Sequence, residues 1–262
     1  MDIAAFIPVR LSSTRLPSKA LLTLHGKPCI QNLIERVRRA KKPDLIVLCT
    51  TTNPSDDRLV EVAKKLNIAY FRGSEVDILE RYRQAAMKFN VKHIVNIDGD
   101  DIFCEPAFID RTSKEIMTAN VDFVMWKNMP LGATPLGIKY DALEKICFLK
   151  ETENTETGWA KFFTETGLFQ VKYLTSDDQE LNDTNIRLTL DYPEDLKLFE
   201  EIYNNLKEPF SLKDIVRLLH EKPELLKINE NLKEIYEQNF NKKATKVKMK
   251  DEKTRFSSKK LL

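Results

Sequence analysis

Short apolar runs alternate with amphipathic stretches along the first 126 residues of the chain. Ile3–Ile7, Leu45–Cys49, Ala69–Phe71, His93–Ile97 and Asp122–Trp126 read as buried strands. They are too short and too uniformly apolar for helices that face water on one side. Between them, Ile30, Leu33, Ile34 and Val37 recur at helical spacing after the turn Gly26-Lys27-Pro28, and Pro28 suits a first helical position. A helix through Lys65 follows the second strand. Ser74 and Asp77 are spaced as a capping box, predicting a helix from there to about Phe89. A further helix is predicted from about Glu105 to Ala119. Strands and helices in this alternation predict an α/β architecture with a mostly parallel sheet covered on both faces.

The rhythm fails over residues 127–184, where Pro130, Gly132, Thr134, Pro135 and Gly137 precede the aromatic stretch Trp159, Phe162, Phe163 and Phe169. This segment is expected to be a small inserted lobe that grips an acceptor or forms a dimer contact, with the aromatics more often core or interface than sugar platform. Asn185–Leu190 returns as an expected strand. Helices over 193–206 and 211–220 follow, the second opened by Ser211 and Asp214, and a polar helix is expected over 224–238. Residues 1–240 are thus expected to form one domain, and 241–262 a basic, solvated, disordered tail.

Charge changes the picture in one respect. The 42 basic and 40 acidic side chains nearly cancel, which gives no reason to expect nucleic acid as a partner. The balance is uneven, however: from Lys242 onward nine Lys/Arg meet two Asp/Glu, so the remainder is acidic. Cations clustered within that acidic body are placed rather than incidental. No apolar stretch approaches a membrane span, and no secretory leader pattern is present at the start, so stable membrane insertion is not expected and a cytoplasmic location is. Cys29, Cys49, Cys104 and Cys147 lie far apart on apolar segments, the pattern of reduced, buried thiols rather than a zinc site or disulfide framework.

The candidate chemistry sits at strand ends. The first strand breaks at Pro8 and runs into Arg10, Ser12, Ser13, Thr14, Arg15 and Lys19. A buried strand opening into cations and hydroxyls suits a polyanion at the edge of a parallel sheet. The loop has no glycine and so is not a P-loop; guanidinium forks and an ammonium must do the gripping. The fourth strand ends in Asp98-Gly99-Asp100-Asp101, and Asp191 follows the later strand. Carboxylates gathered there are hard oxygen ligands suited to Mg²⁺. Magnesium with a nucleoside triphosphate is the economical occupant. His25, His93 and His220 fall in a turn, at a strand start and at a helix end, where structural roles are expected.

Four separated blocks also resemble a known family. Ile7-Pro-Val-Arg-Leu-Ser-Ser-Thr-Arg-Leu-Pro-Ser-Lys19 is similar to the signature of the CMP-sugar cytidylyltransferases, a group that includes CMP-Kdo and CMP-acylneuraminate synthetases. Thr50–Asp57, Phe71–Tyr82 and Arg187–Leu196 resemble further blocks in the same order, nearest the spore coat polysaccharide biosynthesis branch. The resemblance implies a three-layer, GT-A-like (Rossmann-like) nucleotidyltransferase fold. It implies transfer of CMP from CTP to an acidic sugar of sialic, Kdo or related nonulosonic type, releasing pyrophosphate, for surface glycan synthesis. By position, Arg10, Arg15 and Lys19 would hold the triphosphate and act in catalysis, with Pro8, Ser12, Ser13, Asp98 and Gly99 beside the nucleotide. Asp100 and Asp191 would bind Mg²⁺. Arg72 and Ser74, with Thr50 and Thr52 nearby, fall where the family forms its cytosine pocket. Thr134, Gly137, Glu156 and Trp159 are the candidate acceptor residues, and a homodimer through the inserted segment is expected.

Two departures from the family pattern stand out. Ser18 replaces a common glycine, and Thr155-Glu-Thr-Gly-Trp159 lacks the histidine that the branch often carries in its acceptor region. Two other readings accompany this one: transfer to a sugar phosphate or other small acceptor, and a non-catalytic CTP-binding module.

Overall fold

The computed structural model describes residues 1–250. In chain order its strands are β1 (Ile3–Pro8), β2 (Thr23–Leu24), β3 (Lys27–Pro28), β4 (Leu45–Thr51), β5 (Ala69–Gly73), β6 (His93–Asn96), β7 (Phe123–Trp126), β8 (Leu136–Lys139) and β9 (Val171–Leu174). Its helices are α1 (Cys29–Val37), α2 (Asp57–Lys65), α3 (Ile78–Phe89), α4 (Pro106–Thr118), α5 (Tyr140–Leu149), α6 (Lys161–Thr164), α7 (Pro193–Asn205), α8 (Leu212–Glu221), α9 (Pro223–Leu226) and α10 (Leu232–Lys243).

Seven strands form one sheet in the order β5-β4-β1-β6-β8-β7-β9, and β2 with β3 make a separate small ribbon. All neighbours in the large sheet pair in parallel except β8, which runs antiparallel to β6 and β7. Strand β1 explains why the sheet has two cores. Every residue of it is buried. Ile3, Ala5 and Ile7 enter one apolar cluster with side chains of α1, α2, α4, α7 and α8, whereas Ala4 and Phe6 enter the other with α3, α5 and α6. A period of two with both faces covered makes a continuous apolar run, as parallel sheets require. The outcome is the expected three-layer α/β sandwich.

The segment over 127–184 is woven into this sandwich rather than standing apart from it. It supplies β8 to the middle of the sheet and β9 to its edge. Trp159, Phe162 and Phe163 are buried in the second core, where Phe163 stacks on Phe123 at 4.5 Å. They are core, which removes them as a dimer surface.

Three local expectations shift. Helix α3 begins after Asp77, whose carboxylate caps Glu80 N at 3.1 Å, while Ser74 Oγ accepts from Asp77 N one turn earlier. Pro28 is the cap of α1 rather than its first residue. The stretch 185–190 makes a single bridge, Arg187 to Leu131, in place of a sheet strand.

The expected solvated tail does not describe residues 241–250. Helix α10 continues to Lys243, Thr245 is buried, and Met249 forms an antiparallel bridge with Lys150. The rest of that expectation, 251–262, lies outside the described residues. Cys29, Cys49 and Cys104 are buried and Cys147 is half-buried, all as free thiols. No helix among the described residues is long and apolar enough to cross a membrane.

Candidate active site

The carboxyl ends of β1 and β6 are adjacent in a parallel pair, so the loops that leave them must meet. A cleft of about 480 Å³ opens there. It is lined by Pro8, Arg10, Ser12, Ser13, Arg15 and Lys19 from the first loop, and by Asp98, Gly99, Asp100 and Asp101 from the other. The two loops touch closely: a Cβ on Gly99 would lie 2.7 Å from Pro8 O and 2.8 Å from Val9 Cβ, so only glycine fits.

Asp191 arrives from a distant part of the chain, and its approach is fixed by backbone bonds. Leu188 N donates to Leu131 O at 2.7 Å, and Leu190 N donates to Asp100 O at 2.9 Å. Asp195, fully buried in the first turn of α7, then accepts from Asp191 N at 2.8 Å and Tyr192 N at 3.0 Å. The same carboxylate takes Arg187 Nε at 2.9 Å, and Arg187 Nη2 reaches Asp191 Oδ2 at 3.0 Å.

Lys19 Nζ bridges the two acids, 2.5 Å from Asp100 Oδ2 and 2.8 Å from Asp191 Oδ1. Arg15 Nη2 pairs with Asp191 Oδ1 as well. Burial opposes the charge of Lys19, but Asp100 and Asp191 outweigh it and hold the ammonium pKa above its usual value. Burial likewise works against the Asp191 charge, yet Lys19, Arg15 and Arg187 keep its carboxyl below the ordinary range. For two neighbouring acids, Asp98 and Asp101, such compensation falls short. Burial, then the charge of Asp100, pushes Asp98 up to about 6 in spite of the Asn96 amide. The same two causes push Asp101 well above its usual value.

Asp98, Asp100 and Asp101 each present a ligand oxygen, all within 4.8 Å of one another. Three hard oxygen donors gathered this closely fit a divalent cation of the Mg²⁺ type. The bridging position of the Lys19 ammonium shows that Asp100 and Asp191 also suit a shared positive charge.

Of the residues expected from sequence, the structure brings together Pro8, Arg10, Ser12, Ser13, Arg15, Lys19, Asp98, Gly99, Asp100, Asp191, Glu156 and Trp159, all lining the cleft. Glu156 is engaged there by Arg81 and by Arg10 Nε at 3.4 Å. Thr50, Thr52, Arg72 and Ser74 do not line it. Arg72 ties down the turn after β4, donating to Thr51 O and Asn53 O at 2.8 Å each and to Asp57 at 2.5 Å. Recognition of cytosine by this arginine would require its fork to leave that turn. The Thr50 hydroxyl is buried without a hydrogen-bond partner among the described residues.

Gly137 is placed away from the cleft. It lies in β8 beneath α4, where a Cβ would meet Thr112 Cγ2 at 3.0 Å and Val124 Cβ at 3.1 Å. Its role is close packing. Thr134 lines an adjoining hollow of about 250 Å³ that shares Asp98 and Asp101 with the cleft. The histidines stay out of both cavities: His25 stacks on Tyr203, His93 meets Asp2 O, and His220 meets Asp183.

Sequence reasoning missed several contributors. Asp56, 1% exposed, accepts from Leu11 N at 2.8 Å and from Thr51 N at 3.3 Å, pinning the cationic loop to β4. A fourth wall comes from α10, whose Tyr236, Asn239, Phe240 and Lys243 face the cleft. Their spacing of three, four and seven residues is one helical face, a signal present in the sequence but carried by a mostly polar helix. Ser18 explains the family's glycine, since its φ of 53° lies in the left-handed region.

The chain is similar to known proteins over most of its length. Residues 4–210 match a protein family described as Cytidylyltransferase. An uncharacterized protein of Methanocaldococcus jannaschii is 32% identical over 236 residues, covering 89% of this chain and 97% of that protein. The spore coat polysaccharide biosynthesis protein SpsF of Bacillus subtilis is 26% identical over 231 residues, covering 85% of this chain and 96% of that protein. Among solved structures, a cytidylyltransferase from Leptospira borgpetersenii superposes with a TM-score of 0.78 at 25% identity, covering 86% of this chain and 97% of that one. The family match spans the loop of cations, the carboxylate trio and Asp191 alike, and this chain belongs to the cytidylyltransferase family.

Proposed function

We propose that the protein transfers CMP from CTP to an acidic sugar, of sialic, Kdo or related type, and releases pyrophosphate. The observation that supports this most directly is the bridge from Lys19 to Asp100 and Asp191 beside Arg15. It sets polyphosphate-binding cations and cation-binding carboxylates within one contact of each other, which a magnesium–triphosphate substrate needs.

In this reading a hydroxyl oxygen of the acceptor attacks the α-phosphorus of CTP and its proton passes to solvent. The bond from that phosphorus to the α–β bridging oxygen breaks, and pyrophosphate departs with its electron pair. Arg10, Arg15 and Lys19 hold the phosphates in line and stabilise charge gathering on the leaving group. Asp100 and Asp191 would hold a Mg²⁺ ion, which, when bound, supplies further charge neutralisation and polarises phosphate oxygens. Ser12 and Ser13 donate hydroxyl hydrogens to the same phosphates. Gly99 lets the two loops close to this distance. Arg187 and Asp195 keep the Asp191 carboxylate aimed inward. The surface-glycan role follows from the same reading and from the likeness to SpsF.

The test is pyrophosphate release from CTP and magnesium with a panel of sugar acids, sugar 1-phosphates and no acceptor. Turnover confined to sugar acids is expected, and Asp100→Asn should reduce it at least a hundredfold while leaving the circular dichroism spectrum unchanged. Turnover on sugar phosphates alone would refute the acid acceptor. Undiminished turnover in Asp100→Asn would refute the metal assignment.

A further inference from the structure

Four of the five cationic side chains lining the cleft are already held by carboxylates. Lys19 bridges Asp100 and Asp191, Arg15 meets Asp191, and Arg81 and Arg10 both meet Glu156. The fifth, Lys243, has no carboxylate within salt-bridge distance among the described residues. An anion entering the cleft meets it without displacing an existing ion pair.

Its position is built rather than accidental. Two residues on, Thr245 N donates to Thr157 O and its hydroxyl to Asn154 O, both at 2.8 Å. Ala244 packs on Gly158, whose φ of +77° turns the chain beneath it. The backbone at Lys243 is thereby anchored beside the loop that carries Glu156 and Trp159. Tyr236, seven residues earlier on the same face, lies under the Arg15 guanidinium, 5.8 Å from its ring centroid. Seven residues of helix span roughly 10 Å, so one face of α10 runs from the Arg15–Asp191 end of the cleft to the Glu156–Trp159 end. This wall also lies beyond the residues that match the family, 4–210, where individual selectivity has room to differ.

We infer that Lys243 binds the anionic group of the acceptor and that α10 determines which acceptor is taken. The inference rests on the nucleotidyltransfer reading above, with the triphosphate at the Arg15–Lys19 end. The ligand chemistry is a carboxylate or a phosphate carried by a small sugar. Lys243 acts as a specificity-determining residue for the second substrate.

The test uses the full chain with Lys243→Met, which keeps most of the aliphatic stem, and Lys243→Arg, which keeps the charge. Each is assayed with CTP and magnesium against the sugar acids and the sugar 1-phosphates, with CTP affinity measured separately by calorimetry. A lost charge-assisted contact corresponds to a rise in acceptor KM of about tenfold to a hundredfold. The expected result is that rise in Lys243→Met, with CTP affinity unchanged and most of the loss restored in Lys243→Arg. For an acid acceptor, its methyl ester should be insensitive to the substitution. Unchanged acceptor KM, or an equal loss for CTP and acceptor, would overturn the assignment. Turnover on sugar phosphates alone would end the acid reading while leaving Lys243 to be judged by the same split. Absence of turnover with both panels in the wild-type protein would overturn both.

Discussion

Replacing Asp56 by alanine probes the link between the fold and the cationic loop. Its carboxylate is almost fully buried and accepts three hydrogen bonds: from Leu11 N, Thr51 N and the Thr51 hydroxyl. Each buried donor left without an acceptor costs about 1–3 kcal/mol. The Thr51 hydroxyl can rotate to another partner, and water reaches part of the vacated space. Two stranded backbone donors then set the scale, for a loss of about 3 kcal/mol. With a urea m-value of about 3 kcal/mol/M, the unfolding midpoint falls by roughly 1 M.

The functional effect has a separate cause. Leu11 stands beside Arg10 and ahead of Ser12, Ser13 and Arg15. Releasing its N–H lets those groups drift, and a displacement of about 1 Å costs on the order of a hundredfold in rate. The assay is urea unfolding followed by circular dichroism, paired with kcat/KM for CTP. Asp56→Asn, which retains one acceptor oxygen, should fall between wild type and Asp56→Ala on both scales. A midpoint within about 0.2 M of wild type would refute the reasoning. So would full destabilisation with undiminished kcat/KM, since the loop would then be positioned by something else.

Two further outcomes are expected. Gly132→Ala should destabilise the protein by about 2 kcal/mol or more, because φ is +87° there and a Cβ would sit 2.6 Å from Leu188 O; thermal unfolding compared with Gly167→Ala, where φ is +69° but no atom lies within 4 Å, separates the clash from the backbone strain. Asp214, hydrogen-bonded to Ser211 N and Oγ in the capping box of α8, has its carboxyl held below its ordinary value of 3.8 mainly by the Ser211 backbone bond. A depressed folded-state pKa gives stability that is present above pH 3.8 and disappears as pH falls through the folded value. Asp214→Asn should accordingly be less stable at neutral pH and show a shallower loss of stability in acid. Parallel acid profiles for variant and wild type would contradict the sign.

The parts of this structure that the sequence made legible are those where one local pattern decides. The apolar run of β1 can only be a strand buried on both faces, and its break at Pro8 announces the loop of cations. Acids closing β6 announce a site at the same edge, because parallel strands share their carboxyl ends. What stayed hidden depends on partners far away in the chain. Asp56 acts on Leu11 across 45 residues. Asp101 is perturbed through burial and two neighbouring carboxylates, which its identity alone does not reveal. Gly137 looked like a loop glycine because the antiparallel β8 interrupts the alternation of strands and helices around it. The start of α3 moved three residues because Ser74 and Asp77 each make a bond of the capping type, and Asp77 gains Thr155 and Lys150 besides. The polar character of α10 concealed its inward face, since a helix that borders a wet cleft need not be apolar on the side it presents.

The placement of α10 also sets an order of events during biosynthesis. The strands and loops bearing Lys19, Asp100 and Asp191, and the first turn of α7 whose Asp195 holds Asp191, all precede residue 196, so a nascent chain can bring its charges together while the ribosome is still making α10. The helix holding Tyr236 and Lys243, and the Thr245 bonds that moor it, follow all of these in the chain. The cleft is therefore open on one side until α10 has been made, and it gains that wall only afterwards.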